Sequence, residues 1–271
     1  MILDYQRGRR DFCLDVGCGP GIVSEYLAPY FNKVVGIDTS AGMIGQATSR
    51  LTSVKGPFNI EYRQSIAEDI SFLENSSVDI AVSGQAAHWF NFSKFFPEMK
   101  RIVKKGGSLA IWSYGDPVII HHPEASRILT HYSYANDPKF LGPYWEQPGR
   151  SIVRRKYQDI QPPLEDWEDI RRTEYEPDSQ GPQSGEGTMF LTKRMTLGDF
   201  MDYFRTYSSY HNWHEKHLDA KAKDDGGDGD VADDCFEDMR KAEPSWRDLE
   251  SWKNEEILIE WRSGLLLARR K

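Results

Sequence analysis

The first half of the chain sets short apolar runs against amphipathic stretches, and this alternation is the strongest constraint on its fold. The runs are Phe12–Val16, broken only by Asp15, and residues 34–37, 60–63, 78–82 and 109–112. Runs this apolar suit strands covered on both faces, as in a parallel sheet. Between the first two, Ile22, Val23, Tyr26, Leu27, Tyr30 and Phe31 recur at helical spacing, with Pro20 near the helix start. Ser40 is placed to cap a helix carrying Met43, Ile44, Ala47 and Leu51. Phe95, Phe96, Met99, Ile102 and Val103 form a third stripe, which Gly106-Gly107 is expected to end. Strand, helix and strand in repetition predict an α/β, Rossmann-like sheet with right-handed crossovers.

The second half is less regular. Residues 117–148 are rich in His, Tyr and Pro and read as an insertion or cap. Trp167–Tyr175 has the pattern of a strand, and residues 177–187 read as a loop. Thr196 opens a helix, with Asp199 completing a capping box and Leu197, Phe200, Met201 and Phe204 on one face. Residues 219–234 hold seven Asp and two Lys, a balance of −5 out of the chain's −8, and read as a solvated acidic linker. Residues 257–261 and 265–268 read as two strands joined through Ser263-Gly264.

Charge narrows the possible partners. With 34 Lys and Arg against 42 Asp and Glu, the chain lacks the basic face of a dedicated nucleic-acid or anionic-membrane binder. No apolar run approaches the roughly 20 residues needed to cross a bilayer. Three cysteines, Cys13, Cys18 and Cys235, form no C-x-x-C pair, which argues for a reducing, cytoplasmic location.

The chemistry concentrates in Leu14-Asp15-Val16-Gly17-Cys18-Gly19-Pro20-Gly21, where a strand gives way to a helix. Glycines there allow a tight turn and a close ligand approach. A dinucleotide fingerprint would put glycine at Ile22, and Asp15 would repel a pyrophosphate while attracting an ammonium group. The loop therefore favours a cationic, phosphate-free nucleoside. Asp38 ends the second strand about 20 residues past the first glycine, where an acidic residue accepts hydrogen bonds from ribose hydroxyls. Met43, one turn into the next helix, could lie against a purine. Residues 65–69 follow the third strand, where the base edge of such a ligand would be read.

With Asp38-x-Ser40-x-x-Met43, Ala67-Glu68-Asp69 and Gln85-Ala86-Ala87-His88-Trp89-Phe90, the glycine loop resembles class I S-adenosylmethionine-dependent methyltransferases. The last block is similar to small-molecule members like trans-aconitate methyltransferase, especially fungal ones. The resemblance covers residues 11–115 well and the rest in outline. It implies a single methyltransferase domain over 1–271. Its donor-binding core would be 11–115, and its caps 116–150 and 196–235, with the linker 219–234. Residues 236–271 would supply a C-terminal helix and strands completing a mostly parallel sheet with an antiparallel edge strand.

The same resemblance implies S-adenosyl-L-methionine as cofactor; His214 and His217, at i and i+3, lack a well-placed third ligand, so no metal is expected. Gly17, Cys18, Gly19 and Gly21 would hold its methionine portion, with Asp15 near the amino group. Asp38, with Ser40 beside it, would bind the ribose. Met43 and Ile66 would flank adenine, and Ala67 and Glu68 would meet its edge. Gln85 would lie near the sulfonium, and His88 and Trp89 on the acceptor side, with His88 as candidate base. The chain departs from the pattern at Ile66, where many relatives are acidic, and at Asn91, where Asp is usual. Relatives also carry an N-terminal segment over the donor, whereas here about ten residues precede the first strand. The expected activity is methylation of a small molecule, at a carboxylate or hydroxyl oxygen. The alternatives are a donor-binding protein with weak turnover for want of that segment, or an N- or C-methyltransferase. Arg205 is a candidate for an anionic acceptor, and the aromatic cap residues suit an apolar acceptor pocket.

Overall fold

The computed structural model describes residues 1–53, 59–177 and 191–271. The strands are β1 (Phe12–Val16), β2 (Lys33–Asp38), β3 (Ile60–Gln64), β4 (Val78–Gly84), β5 (Val103–Ile119), β6 (Trp167–Tyr175), β7 (Thr192–Thr196) and β8 (Glu256–Arg270). The helices are α1 (Ile2–Tyr5), α2 (Ile22–Leu27), α3 (Ala41–Ser53), α4 (Phe92–Ile102), α5 (Pro123–Tyr134), α6 (Gly149–Arg154), α7 (Leu197–Arg205), α8 (Ser208–His214), α9 (Val231–Ala242) and α10 (Pro244–Arg247).

The chain divides into two compact units. The first unit comprises residues 1–114, 152–174 and 263–271, and the second residues 115–151 and 175–262. In the first unit the strand order is β3-β2-β1-β4-β5-β8-β6, with β3/β2, β2/β1, β1/β4 and β4/β5 parallel. This is the expected α/β, Rossmann-like sheet. Its chain order reverses between β1 and β4, and ligands bind beyond the strand ends at such a switch point. Leu14, Val35, Ala81 and Leu109 of the sheet pack in one core with Phe95 and Met99 of α4. Each such buried side chain contributes roughly 1.5–3 kcal/mol. Asn91 caps α4, its side chain accepting from the Ser93 amide at 3.2 Å.

The second unit has its own core, built on α5, α7, α9 and the antiparallel pair β7/β8. Thr196 caps α7 as expected, with the reciprocal bonds to Asp199 both present.

Three expectations need correction. Gly106-Gly107 does not end α4. The helix stops at Ile102 and β5 starts at Val103, so both glycines lie within the strand; a Cβ on Gly107 would lie 2.8 Å from the Lys104 carbonyl oxygen and 2.9 Å from that of Asp79. Ser263-Gly264 does not separate two strands but lies inside β8. The acidic stretch is no solvated linker throughout, since α9 starts within it and Asp230 and Asp233 are buried at its cap. The expected loop over 177–187 lies, from Asp178 on, outside the described residues.

Candidate active site

Beyond the C-terminal ends of β1, β2 and β4, and beside the middle of β5, lies a cavity of about 750 Å³. That is within the size range of small-molecule sites. Its floor is the glycine loop. The amides of Gly17 and Cys18 donate to the Ile37 carbonyl at 2.8 and 2.9 Å, tying the loop to β2. The three loop glycines do different work. Gly17 has φ +73°, and a Cβ there would lie 2.3 Å from that of Ala86. Gly21 has φ +86° and would meet the Tyr62 hydroxyl at 2.2 Å. Gly19, at φ +53°, would meet nothing within 4 Å. Two glycines thus satisfy packing, and the middle one leaves an open approach to backbone in the cavity wall.

Asp38 holds this geometry. One carboxylate oxygen accepts from the Gly19 amide and the other from the Ser40 amide, both at 2.9 Å. The Ser40 hydroxyl in turn accepts from the Met43 amide at 3.3 Å. Asp38 is therefore both the start of the α3 cap and the brace of the loop. Asp38→Ala should weaken binding of an adenosyl ligand by about 1–3 kcal/mol, the scale of a hydrogen bond lost beside a buried partner. Calorimetric titration with S-adenosylhomocysteine reads this, and unchanged affinity would contradict the placement.

Of the residues expected at the site, Gly17, Cys18, Gly19, Asp38, Ser40, Met43, Ala67, Glu68, Gln85 and Trp89 line the cavity. Glu68 also accepts from the Asn91 amide at 2.6 Å. The Gln85 side-chain amide is spent on the Tyr114 backbone, accepting from its N–H at 2.9 Å and donating to its carbonyl at 2.6 Å. Gln85 sits at φ +59°, and this double bond fixes the turn after β4.

Four expected residues stand apart from the lining. Ile66 is 49% exposed and is not among the residues lining the cavity. Gly21 packs behind the loop. His88, in the turn after β4, has its Nδ1 2.8 Å from the Tyr157 hydroxyl and its ring 4.8 Å from that of Trp89. Asp15 is buried, and one carboxylate oxygen accepts from the Ser24 hydroxyl at 2.7 Å.

The other Asp15 oxygen has no hydrogen-bond partner among the described residues. Burial, opposed by the Ser24 bonds and aided by the Asp38 charge, pushes the Asp15 carboxyl up to about 7. A pKa raised on folding favours the folded state below the unfolded carboxyl range. That contribution is lost as pH climbs from about 4 through about 7. Asp15→Asn should remove a slope of up to about 1.4 kcal/mol per pH unit from the stability profile over that window. Denaturant unfolding of both proteins across pH checks this, and parallel profiles would count against it.

Sequence reasoning missed Trp112 and Tyr114, which line the cavity from the middle of β5, level with the end of β4. The signal was there: they alternate along a strand that runs past the switch point. Gly84 makes room for Trp112, since a Cβ would lie 2.5 Å from the indole.

Comparison with known proteins agrees with this geometry. Residues 14–111 match the family model of the methyltransferase domain. The chain is 27% identical over 275 residues to the probable S-adenosylmethionine-dependent methyltransferase CRG1 of Saccharomyces cerevisiae, covering 100% of this chain and 89% of that one. A candidate methyltransferase of Dictyostelium discoideum is 33% identical over 202 residues, covering 74% of this chain and 66% of its own. The structure of a candidate type II methyltransferase from Anaeromyxobacter dehalogenans shares the fold, with a TM-score of 0.68 at 22% identity over 96% of this chain and 90% of that one. The chain thus carries a class I methyltransferase domain. Its cofactor is S-adenosylmethionine.

The residues present fit that group. The cavity has the volume for it, Gly19 leaves backbone approachable, and Asp38 stands at the end of β2.

Proposed function

We propose that the protein transfers a methyl group from S-adenosylmethionine to an oxygen of a small-molecule acceptor, a carboxylate or a hydroxyl. The observation that carries this reading is the cavity at the switch point, where the glycine loop, Asp38 and Met43 meet Trp89, Trp112 and Tyr114. The first set suits a nucleoside and the second an apolar acceptor wall. The resemblance of residues 85–90 to small-molecule methyltransferases supports the same acceptor class.

When bound, the sulfonium supplies a methyl group already activated for displacement. The chain's own residues then orient and exclude water. The glycine loop would hold the amino-acid portion and Asp38 the ribose. Met43 and Ala67 would border adenine, with Glu68 near its edge. Trp89 and Trp112 would wall the acceptor side. His88, whose ring lies 4.8 Å from that of Trp89, would be the candidate base if the acceptor is a hydroxyl. The three cysteines are buried and free, which suits the cytoplasm. Among the described residues no helix is long and apolar enough to cross a membrane.

A methyl-release assay tests the reading against a panel of carboxylic acids, phenols and amines. Transfer to carboxylic acids or hydroxyl compounds is expected. Transfer to amines alone, or donor binding with no transfer to any class, would overturn it.

A further inference from the structure

The turn after β4 solves a pairing problem. Backbone pairing of β4 with β5 reaches Gly84, opposite Trp112, and closes with the Gln85 amide donating to the Trp112 carbonyl at 2.9 Å. One more step of a parallel ladder would need an acceptor for the Tyr114 N–H and a donor for the Tyr114 carbonyl. The backbone supplies neither, because Gln85 sits at φ +59° and the chain leaves the sheet into the short helical turn Ala87–Trp89. The Gln85 side chain supplies both. Its oxygen accepts from the Tyr114 N–H at 2.9 Å, and its nitrogen donates to the Tyr114 carbonyl at 2.6 Å. A primary amide carries the acceptor and the donor of a peptide group. The side chain therefore stands in for the next stretch of β4.

What it holds in place is aromatic. Trp112 and Tyr114 are two residues apart on one strand, so their side chains share a face, and both line the cavity. Consecutive residues of the turn serve them in different ways. Gly84 leaves room for the Trp112 indole, which would lie 2.5 Å from a Cβ there. Gln85 ties the Tyr114 backbone, and with it the direction in which that side chain leaves the strand. Both the oxygen and the nitrogen of the Gln85 amide are engaged on β5.

We propose that Gln85 is a positioning residue for the acceptor: acting through Tyr114, it fixes the aromatic wall of the cavity and so sets the affinity for an acceptor with a flat, apolar body. This rests on the methyl-transfer reading above, which puts Trp112 and Tyr114 on the acceptor side. It departs from the expectation that Gln85 serves the sulfonium. Aromatic rings favour offset-stacked or edge-to-face neighbours, so a wall of this kind selects by shape, and a small shift of the strand changes the fit.

Two substitutions separate the side-chain bonds from the turn. Gln85→Asn keeps an amide and suits a left-handed backbone, but is one methylene too short to reach Tyr114. Gln85→Glu keeps the length; its carboxylate accepts from the Tyr114 N–H and regains a donor for the carbonyl only when protonated. With the preferred acceptor of the panel above, Gln85→Asn should raise the acceptor KM roughly 5- to 50-fold and change kcat less. Gln85→Glu should match it at about pH 8 and approach the unaltered protein as pH falls toward about 5. The carboxylates of Asp38 and Glu68 also line the cavity and are common to all three proteins, so each rate is taken relative to the unaltered protein at the same pH. Calorimetry with S-adenosylhomocysteine should give the same affinity throughout. A donor affinity that falls in step with the rate makes Gln85 a donor ligand and overturns the proposal. An unchanged acceptor KM, or a Gln85→Glu ratio that does not vary with pH, overturns it too. Amide hydrogen exchange at Tyr114, followed by NMR, needs no reaction: protection in the unaltered chain and its loss in Gln85→Asn are expected, and free exchange in the unaltered chain overturns the proposal. No binding of S-adenosylhomocysteine to the unaltered chain would instead overturn the methyl-transfer reading and the acceptor role with it, while the exchange measurement still decides whether Gln85 holds the strand.

Discussion

Gly17→Ala should destabilise the protein by roughly 2–5 kcal/mol, whereas Gly19→Ala should leave it folded but with a weakened hold on its donor. The two positions are two residues apart in one loop, and both have positive φ. They differ in what surrounds them. A methyl on Gly17 would lie 2.3 Å from the Ala86 Cβ, an atom that cannot move without its backbone, so backbone must move. Overpacking of this kind costs about 1–3 kcal/mol, and the left-handed backbone adds about 1–2. A methyl on Gly19 meets no protein atom within 4 Å. It pays only the backbone term, about 1–2 kcal/mol, but projects where the ligand must approach. Donor affinity should fall by roughly 10- to 100-fold. Urea unfolding and calorimetry on both variants separate the effects. Equal stability loss with equal donor affinity would show that the loop glycines serve packing alone.

The second large effect lies in the other unit. Arg205→Met should cost about 3–5 kcal/mol, the penalty of leaving buried carboxylates without their cation. Arg205 pairs with Asp230 at 2.9 Å and with Asp233 at 3.2 Å, and those side chains are 0% and 4% exposed. The two aspartates also form the reciprocal cap of α9, and Tyr210 donates to Asp230 at 2.7 Å. Burial, the largest influence, would raise the Asp230 carboxyl. Arg205, the Asp233 amide and Tyr210 outweigh it and hold the pKa below its ordinary value. A depressed pKa gives stability above the unfolded carboxyl range, lost as pH falls through the lowered value. In Arg205→Met that stability should already be lost nearer neutral pH. Denaturant unfolding at neutral and acid pH measures both effects, and a loss under about 1 kcal/mol would mean the pair is effectively solvated. Arg205 is thereby committed to the fold, and the expectation that it meets an anionic acceptor is withdrawn.

The donor half of the fold was legible because its signals are local. Strands buried on both faces declare themselves as apolar runs, and β1 has the bounds its residues imply. The Ser40 and Thr196 caps rest on contacts only three residues long. The features that were missed depend on partners far along the chain. Charge counting made residues 219–234 a linker, because nothing local reveals that Arg205 neutralises Asp230 from 25 residues away. The Val231, Cys235, Phe236 and Met239 face of α9 was hidden behind that charge. Gly107 and Gly264 read as breaks, yet they are places where another stretch of backbone comes close. At the site, glycine loop and Asp38 spacing marked the cavity. The partner of His88, Tyr157, stands 69 residues away and left no pattern to find.

The most direct test is a crystal structure of the full chain with S-adenosylhomocysteine. Density is expected in the cavity between the Gly17–Cys18–Gly19 loop and the stretch from Asp38 to Met43, with the ribose at Asp38. Density elsewhere, or an empty cavity at saturating ligand, would contradict the account.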